Sequence, residues 1–498
     1  MNSIRAYSLG EACPPSPHAV VSCLPTMADV RGYEEKESRV LDALTSGYPR
    51  FVIHAYIREL VDFYLQRESL EGRAAVLIPG RRATQDLVNY VGRGLVSVQV
   101  EASLYLVLFD ADNLQLDRRV RKFVQRTGCG ISSRQAEDLL FAHGQKAAIQ
   151  EESSFARASL PQVEKMLAEI AGSRPEDVLL CASGMNAFYA GFRAVQEAQA
   201  DRGRTQWLQL GWLYLDSGSV LEEFLHKGER LDYCYDATGT EAIIERIQSY
   251  GDNLACVVLE CPTNPLVQVA DLPRISAAVR AAGGVLMIDP TIASVYNVDV
   301  LPYADLVVTS LTKYAACEGD VMIGALMLNP ESPNYGNLVL RTSSFHKPPY
   351  SRDLDRLAEE MHAAPEAVRK MDRNAREVAE FLRAHPAVRK VHYAGESEHF
   401  SEVAKNPEAG GAVVTLELKG SMETFYNALQ MMKGPSFGTR FSLVCPFMYL
   451  AHYDLVTDDS GRNFLRSINI DPELIRLSVG TEAVDAIKAV LDCALGAR

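Results

Sequence analysis

Between residues 160 and 328 short apolar runs alternate with helical patterns, and this alternation limits the possible folds more than any other feature. The strand candidates are Val178–Cys181, Trp207–Leu210, Ala255–Glu260, Gly284–Asp289, Asp305–Thr309 and Val321–Leu328. The helical segments among them are Leu160–Ala171, Asn186–Gln199, Glu241–Tyr250 and Leu272–Ala282. Strands alternating with helices predict an α/β fold, with a mainly parallel sheet covered by helices on both faces. A long amphipathic helix, Ala364–His385, then leads to a different texture: strand Ala412–Leu418, helix Met422–Gln430, strand Leu474–Val479 and helix Glu482–Ala497. That texture predicts a smaller C-terminal α+β domain.

Ahead of the alternating region, residues 1–50 are rich in turn residues. Phe51–Gln66 has helical spacing, Leu104–Phe109 reads as a buried strand, and Arg118–Gln125 and Ser133–His143 read as helices. A length of 498 residues predicts two or three domains. The expected division is an N-terminal extension and arm over 1–155, a large domain over 156–370 and a small domain over 371–498.

A formal net charge of −14 argues against nucleic-acid or anionic-membrane partners, which call for a basic face. No apolar run reaches the roughly 18 residues of a membrane span. The N-terminus has the pattern of neither a signal nor a transit peptide, so a cytoplasmic location is expected. The ten cysteines form no C-x-x-C pair, which predicts reduced thiols and no metal site.

Five constellations carry chemistry. Ser310-Leu311-Thr312-Lys313-Tyr314 follows the apolar strand at 304–309. A lysine at a buried strand end is costly unless paired or neutralised, and an imine to an aldehyde such as pyridoxal phosphate is one solution. Ser310 and Thr312 add hydroxyls that could bond a phosphate. Val285–Asp289 delivers one carboxylate to the end of a strand, where ligands bind in open α/β sheets and where a pyridine nitrogen needs an acid. Ser183-Gly184-Met185 sits between strand and helix, a place that favours an anion. Glu260–Pro265 presents Asn264 from a turn held by prolines. Arg476, in the apolar strand 474–479, suits a substrate carboxylate. Each has an ordinary alternative: a strand-end lysine, an Asp cap, an unliganded turn, a rigid loop, a structural salt bridge. Their order along the chain carries more weight than any one of them.

Taken together, these residues resemble the Cys/Met-metabolism family of pyridoxal-phosphate enzymes, whose fold is the aspartate-aminotransferase-like fold type I. Ser183-Gly184-Met185 is similar to the family's SGM turn, Glu260–Pro265 to its ESPxNP segment and Ser310–Tyr314 to SATKY. Arg476–Gly480 is similar to RLSVG, and Ser436-Phe437-Gly438 to the SLG turn. The N-terminal PPSPHAVVSCLPT, GYEEKESRVLDALTSGYPRFVIH and the later NVDVLPYADLVVTSLTKY resemble the long, fungal type of cystathionine γ-synthase.

The resemblance implies Lys313 as the Schiff-base lysine and Arg476, Ser436 and Asn264 around the substrate. It also implies Tyr214 on the cofactor ring and Arg157 reaching the phosphate of a neighbouring subunit. The implied assembly is a dimer of dimers with shared sites. The implied reaction is γ-replacement on an O-acylated homoserine with cysteine. An O-acylhomoserine sulfhydrylase, a γ-lyase or a non-catalytic cofactor-binding regulator are the alternatives. Four departures stand out: Tyr214-Leu215-Asp216-Ser217 replaces YGGT, Phe155-Ala156-Arg157 replaces Tyr-x-Arg, Asp289-Pro290-Thr291-Ile292 replaces DNTF, and Pro435 stands where several relatives carry Glu.

Overall fold

The computed structural model describes residues 4–47, 52–154 and 160–497. Phe51, Phe155 and Arg157 lie outside the described residues, so the expected helix start at Phe51 and the Arg157 contact are not described. Three sheets organise the described residues. In chain order the strands are β1 (Arg73–Pro79), β2 (Val96–Glu101), β3 (Leu104–Asp110), β4 (Val178–Cys181), β5 (Gln206–Leu210), β6 (Arg230–Cys234), β7 (Leu254–Glu260), β8 (Val285–Asp289), β9 (Leu306–Ser310), β10 (Gly324–Leu328), β11 (Val388–Tyr393), β12 (Val413–Leu418), β13 (Met432–Lys433), β14 (Leu443–Pro446) and β15 (Ile475–Ser478).

The central sheet has seven strands in the order β4-β10-β9-β8-β7-β5-β6, and only β10 runs antiparallel to its neighbours. This is the expected doubly covered α/β sheet. Alternate residues feed different cores: Leu286 and Ile288 join one cluster, Val285 and Met287 the other. Burial on both faces is why these strands read as continuous apolar runs rather than alternating ones. The carboxyl ends of β4, β7, β8 and β9 lie along one rim, with the amino end of β10 among them. Gly324 is needed there, because a Cβ at this position would come within 2.3 Å of the Ser183 carbonyl oxygen.

The C-terminal sheet, β11-β12-β15-β14-β13, is antiparallel except for β13 against β14. One helix, Ser351–Ala384, joins the two sheets and is longer than expected. The expected start, Ala364, lies one residue before Pro365, inside the observed helix. Burial of Leu354, Leu357 and Met361 before the proline, and of Val368 and Met371 after it, carries the helix through.

The N-terminal region departs most from expectation. It holds an antiparallel sheet, β1-β3-β2, where a single strand was expected. Leu106 and Leu108 face one core and Val107 and Phe109 another. Residues 27–34 form a helix within the supposed turn-rich stretch, started by a capping box in which Thr26 and Asp29 exchange hydrogen bonds. The helix expected from Phe51 begins at Ala55, with His54 as its cap. Among the described residues no helix is long and apolar enough to cross a membrane.

One histidine links the two larger sheets. Trp212 Nε1 donates to His452 Nε2 at 2.9 Å, and the rings meet edge to face at 4.8 Å. Burial lowers the His452 pKa from 6.5 to about 4. The unfolded chain therefore takes up this proton before the folded chain does. The stabilisation is complete above about pH 6.5 and falls away toward pH 4, where about 3 kcal/mol is lost. His452→Gln should flatten the acid limb of urea-unfolding stability between these values; an acid limb identical to wild type would exclude His452 as its source.

Candidate active site

One cavity of about 330 Å³ opens above the strand rim. Lys313, Asp289, Ser183, Gly184, Met185, Tyr214, Asn264, Ser310, Thr312 and Arg476 all line it. Ser436 joins them directly, with Lys313 Nζ donating to its hydroxyl at 2.9 Å.

Lys313 follows β9 by three residues and is 9% exposed. Burial, reinforced by the positive charge of Arg476, holds its amine well below the ordinary lysine range. Both effects favour the neutral amine, which is the form that can condense with an aldehyde. Asp289 ends β8, and burial raises its carboxyl from 3.8 to about 6 against the opposing hydrogen bonds from Thr291. Those bonds come from the Thr291 N–H at 2.8 Å and its hydroxyl at 2.5 Å, and they fix the carboxylate at the strand end.

The helix Gly184–Ala200 points its first turn at the cavity. Ser183 caps it, accepting from the Asn186 N–H at 3.0 Å and donating to the Gly128 carbonyl at 3.2 Å. The Ser183 hydroxyl and the Asn186 N–H are therefore already engaged with each other, whereas the N–H groups of Gly184 and Met185 have no intrahelical partner and suit an anion. Thr312 donates to the Ile323 carbonyl at 3.4 Å, so its hydroxyl braces the β10 approach as well as lining the cavity. Buried amine, buried acid and anion-favouring helix start fit the aldehyde, the pyridine nitrogen and the phosphate of pyridoxal phosphate.

Arg476 sits in the middle of β15 between Thr415 and Cys445 and is 4% exposed. Its guanidinium donates to Asn264 Oδ1 at 3.1 Å and to the carbonyls of Pro435 and Ser436. The rings of Phe437 and Phe447 each lie 5.0 Å from its Cζ. Among the described residues no carboxylate lies within salt-bridge distance of it. The structural salt bridge that the sequence left open is thus absent from these residues, and a buried guanidinium flanked by aromatic rings suits a ligand's carboxylate.

The turn at 436–438 ties this arginine to Lys313. Gly438 has φ +68°, and its carbonyl accepts from the Tyr314 N–H at 2.9 Å. A Cβ on Gly438 would come within 2.9 Å of that nitrogen. Gly438→Ala should cost about 1–3 kcal/mol and weaken cofactor retention, as read by thermal unfolding and by absorbance of the bound cofactor. Wild-type values for both would show that the turn does not hold Lys313 in place.

Several wall residues escaped the sequence reading. Glu260, which ends β7, accepts from the Tyr214 N–H at 2.5 Å and lies fully buried beside Asp289. Burial first, then the neighbouring Asp289, raises its carboxyl well above the ordinary range. Its place at the end of an apolar run, like that of Asp289, was the available signal. Leu24, Glu34, Lys36, Leu44 and Val52 form another wall, contributed by the N-terminal region. Nothing local in their sequence marks them.

The family described as Cys/Met metabolism PLP-dependent enzyme matches residues 141–496. The chain belongs to this family. Pyridoxal phosphate is the family's cofactor, and the fold type I expectation holds. A L-2-amino-4-chloropent-4-enoate dechlorinase/desaturase of Streptantibioticus cattleyicolor is 33% identical over 483 residues, covering 96% of each chain. A cystathionine γ-synthase of Neurospora crassa is 25% identical over 98% of each chain. Coverage of this extent takes in the N-terminal region that the family match leaves out. Among solved structures, a methionine γ-lyase of Micromonospora echinospora superposes with a TM-score of 0.56 at 26% identity, over 70% of this chain and 90% of its own.

Proposed function

We propose that this enzyme expels a leaving group from the γ-carbon of an L-α-amino acid and replaces it with an amino-acid thiol. The observation that carries the reading is the pairing, in one cavity, of the buried Lys313 amine with the buried Arg476 guanidinium. Arg476 would hold the substrate carboxylate bidentately, with Asn264 and Ser436 setting its position. Lys313 would hold the cofactor and, once released, take the proton from Cα and carry a second proton from Cβ. Ser436, bonded to Lys313 Nζ, would keep the amine on that side of the substrate. When bound, pyridoxal phosphate supplies an electron sink conjugated to Cα. Asp289 would keep a proton on its ring nitrogen, and the Ser183–Met185 turn would take its phosphate. Tyr214, fixed through its N–H by Glu260, would stand against the ring.

In the replacement the Cγ–S bond forms, the bond from Cγ to the leaving group breaks, and the thiol proton departs with that group. Likeness to the Neurospora crassa cystathionine γ-synthase over nearly the whole chain supports cysteine as the thiol and an O-acylated homoserine as the partner. A second reading is γ-elimination without a nucleophile. The 33% identity with the dechlorinase/desaturase favours it, because the chlorine named in that protein's substrate sits on the γ-carbon. The aromatic flanks Phe437 and Phe447 also suit an apolar side chain.

A panel on purified holoenzyme tests both. It pairs O-acetyl-, O-succinyl- and O-phosphohomoserine with cysteine or sulfide, and adds L-2-amino-4-chloropent-4-enoate alone. Cystathionine supports replacement by cysteine. Chloride release without added thiol, and no cystathionine, supports elimination. No leaving-group release from any γ-substituted amino acid would overturn the proposal.

A further inference from the structure

The active-site wall built from residues 24–44 lies outside the family match, yet it is fastened onto the family core. The Val20 N–H donates to the Gly319 carbonyl at 2.9 Å, six residues beyond Lys313, and the Leu24 N–H donates to Lys433 O at 3.1 Å. The Tyr426 hydroxyl donates to the Leu24 carbonyl at 2.7 Å, and the Met27 N–H to Asn427 Oδ1 at 2.8 Å. The segment thus spans from the lysine loop to the C-terminal sheet and holds the helix Met27–Glu34 over the cavity.

Glu34 ends this helix and faces the cavity, with Lys36 two residues on. The Glu34 carboxyl has no hydrogen-bond or salt-bridge partner among the described residues. The charged groups acting on it are Lys36 and Asp454. Burial pushes it up from 4.5 to about 7, Lys36 opposes the rise and Asp454 adds to it. Glu34 is half-buried, and a carboxyl with part of its water removed and no partner gains from an arriving cation. The last turn of a helix favours the same charge. Lys36 has φ +63° and places its Nζ 4.7 Å over the Tyr33 ring while donating to the Tyr33 carbonyl at 3.2 Å.

We propose that Glu34 and Lys36 form a second amino-acid subsite, Glu34 receiving the ammonium and Lys36 the carboxylate of the incoming amino-acid thiol. Arg476 is already assigned to the first substrate, and two opposite charges side by side on a separate wall match a second zwitterion. The proposal rests on the replacement reading above and names the residues that receive its nucleophile.

The test uses holoenzyme saturated with whichever γ-substituted amino acid releases its leaving group, and varies the thiol. Glu34→Gln should raise KM for cysteine about tenfold and Lys36→Met about threefold, with KM for the first substrate moving less than twofold. Cysteamine, which lacks the carboxylate, should respond to Glu34→Gln alone. 3-Mercaptopropionate, which lacks the ammonium, should respond to Lys36→Met alone. An unchanged KM for cysteine, or an equal rise for both substrates, would overturn the subsite. So would a wild-type enzyme that releases the leaving group yet couples none of these thiols; the catalytic reading would survive that result. A wild-type enzyme that releases no leaving group would overturn the catalytic reading, and the subsite with it.

Discussion

Lys313→Ala should lower turnover by about 10⁴-fold or more and remove the covalent attachment of pyridoxal phosphate. A single positioned acid–base group contributes about 10²–10⁴, and Lys313 is assigned two proton transfers as well as the cofactor link. Its environment is built for that use: burial and the charge of Arg476 both favour the neutral amine, and Ser436 holds it at 2.9 Å. The check is steady-state turnover combined with borohydride reduction and peptide mapping. Wild type should carry the reduced cofactor on Lys313, and the variant should carry none. A variant retaining more than about one per cent of wild-type turnover would remove Lys313 from both proton transfers.

Arg476→Ala should raise KM for the amino acid and lower kcat/KM by about 10²–10⁴-fold, because a substrate carboxylate in this cavity would lose its charged partner at a cost of about 3–5 kcal/mol. Most of the loss should fall on KM, since Arg476 is not assigned to the proton transfers. Arg476→Lys should recover only part of it, because an ammonium cannot reproduce the two-pronged contact or the packing between Phe437 and Phe447. Steady-state kinetics on all three proteins, with the cofactor spectrum as a check on folding, reads the effect. An unchanged KM in Arg476→Ala would place the carboxylate elsewhere.

The parts of the site that could be read from sequence are those whose signal is local. Asp289 and Lys313 each follow a strand that is apolar throughout, and a single polar residue at such a strand end stands out. Arg476 is conspicuous within β15 for the same reason. The central sheet, apart from its partly exposed edge strand β6, was legible because burial on both faces leaves uninterrupted apolar runs. β2 was missed because much of its surface is exposed, so it lacks that signature. The helix Met27–Glu34 was hidden among turn residues, although its Thr26 and Asp29 pair marks a start. The wall carrying Glu34 was beyond reach. It exists because Leu24 and Met27 dock on residues 426–433, about 400 positions away, and nothing in the local pattern encodes that contact. Pro365 lies inside Ser351–Ala384, where apolar packing on both sides of it carries the helix through a residue that disfavours helix interiors.

The central claim is that chemistry reaches the γ-carbon, which requires protons to leave both Cα and Cβ. Proton NMR of substrate turned over in deuterium oxide tests this most directly. The proposed mechanism predicts solvent deuterium at both carbons in the wild-type reaction and at neither with Lys313→Ala. Deuterium at Cα alone would contradict it, because an enzyme that never takes the β-proton cannot expel a group from the γ-carbon by this route.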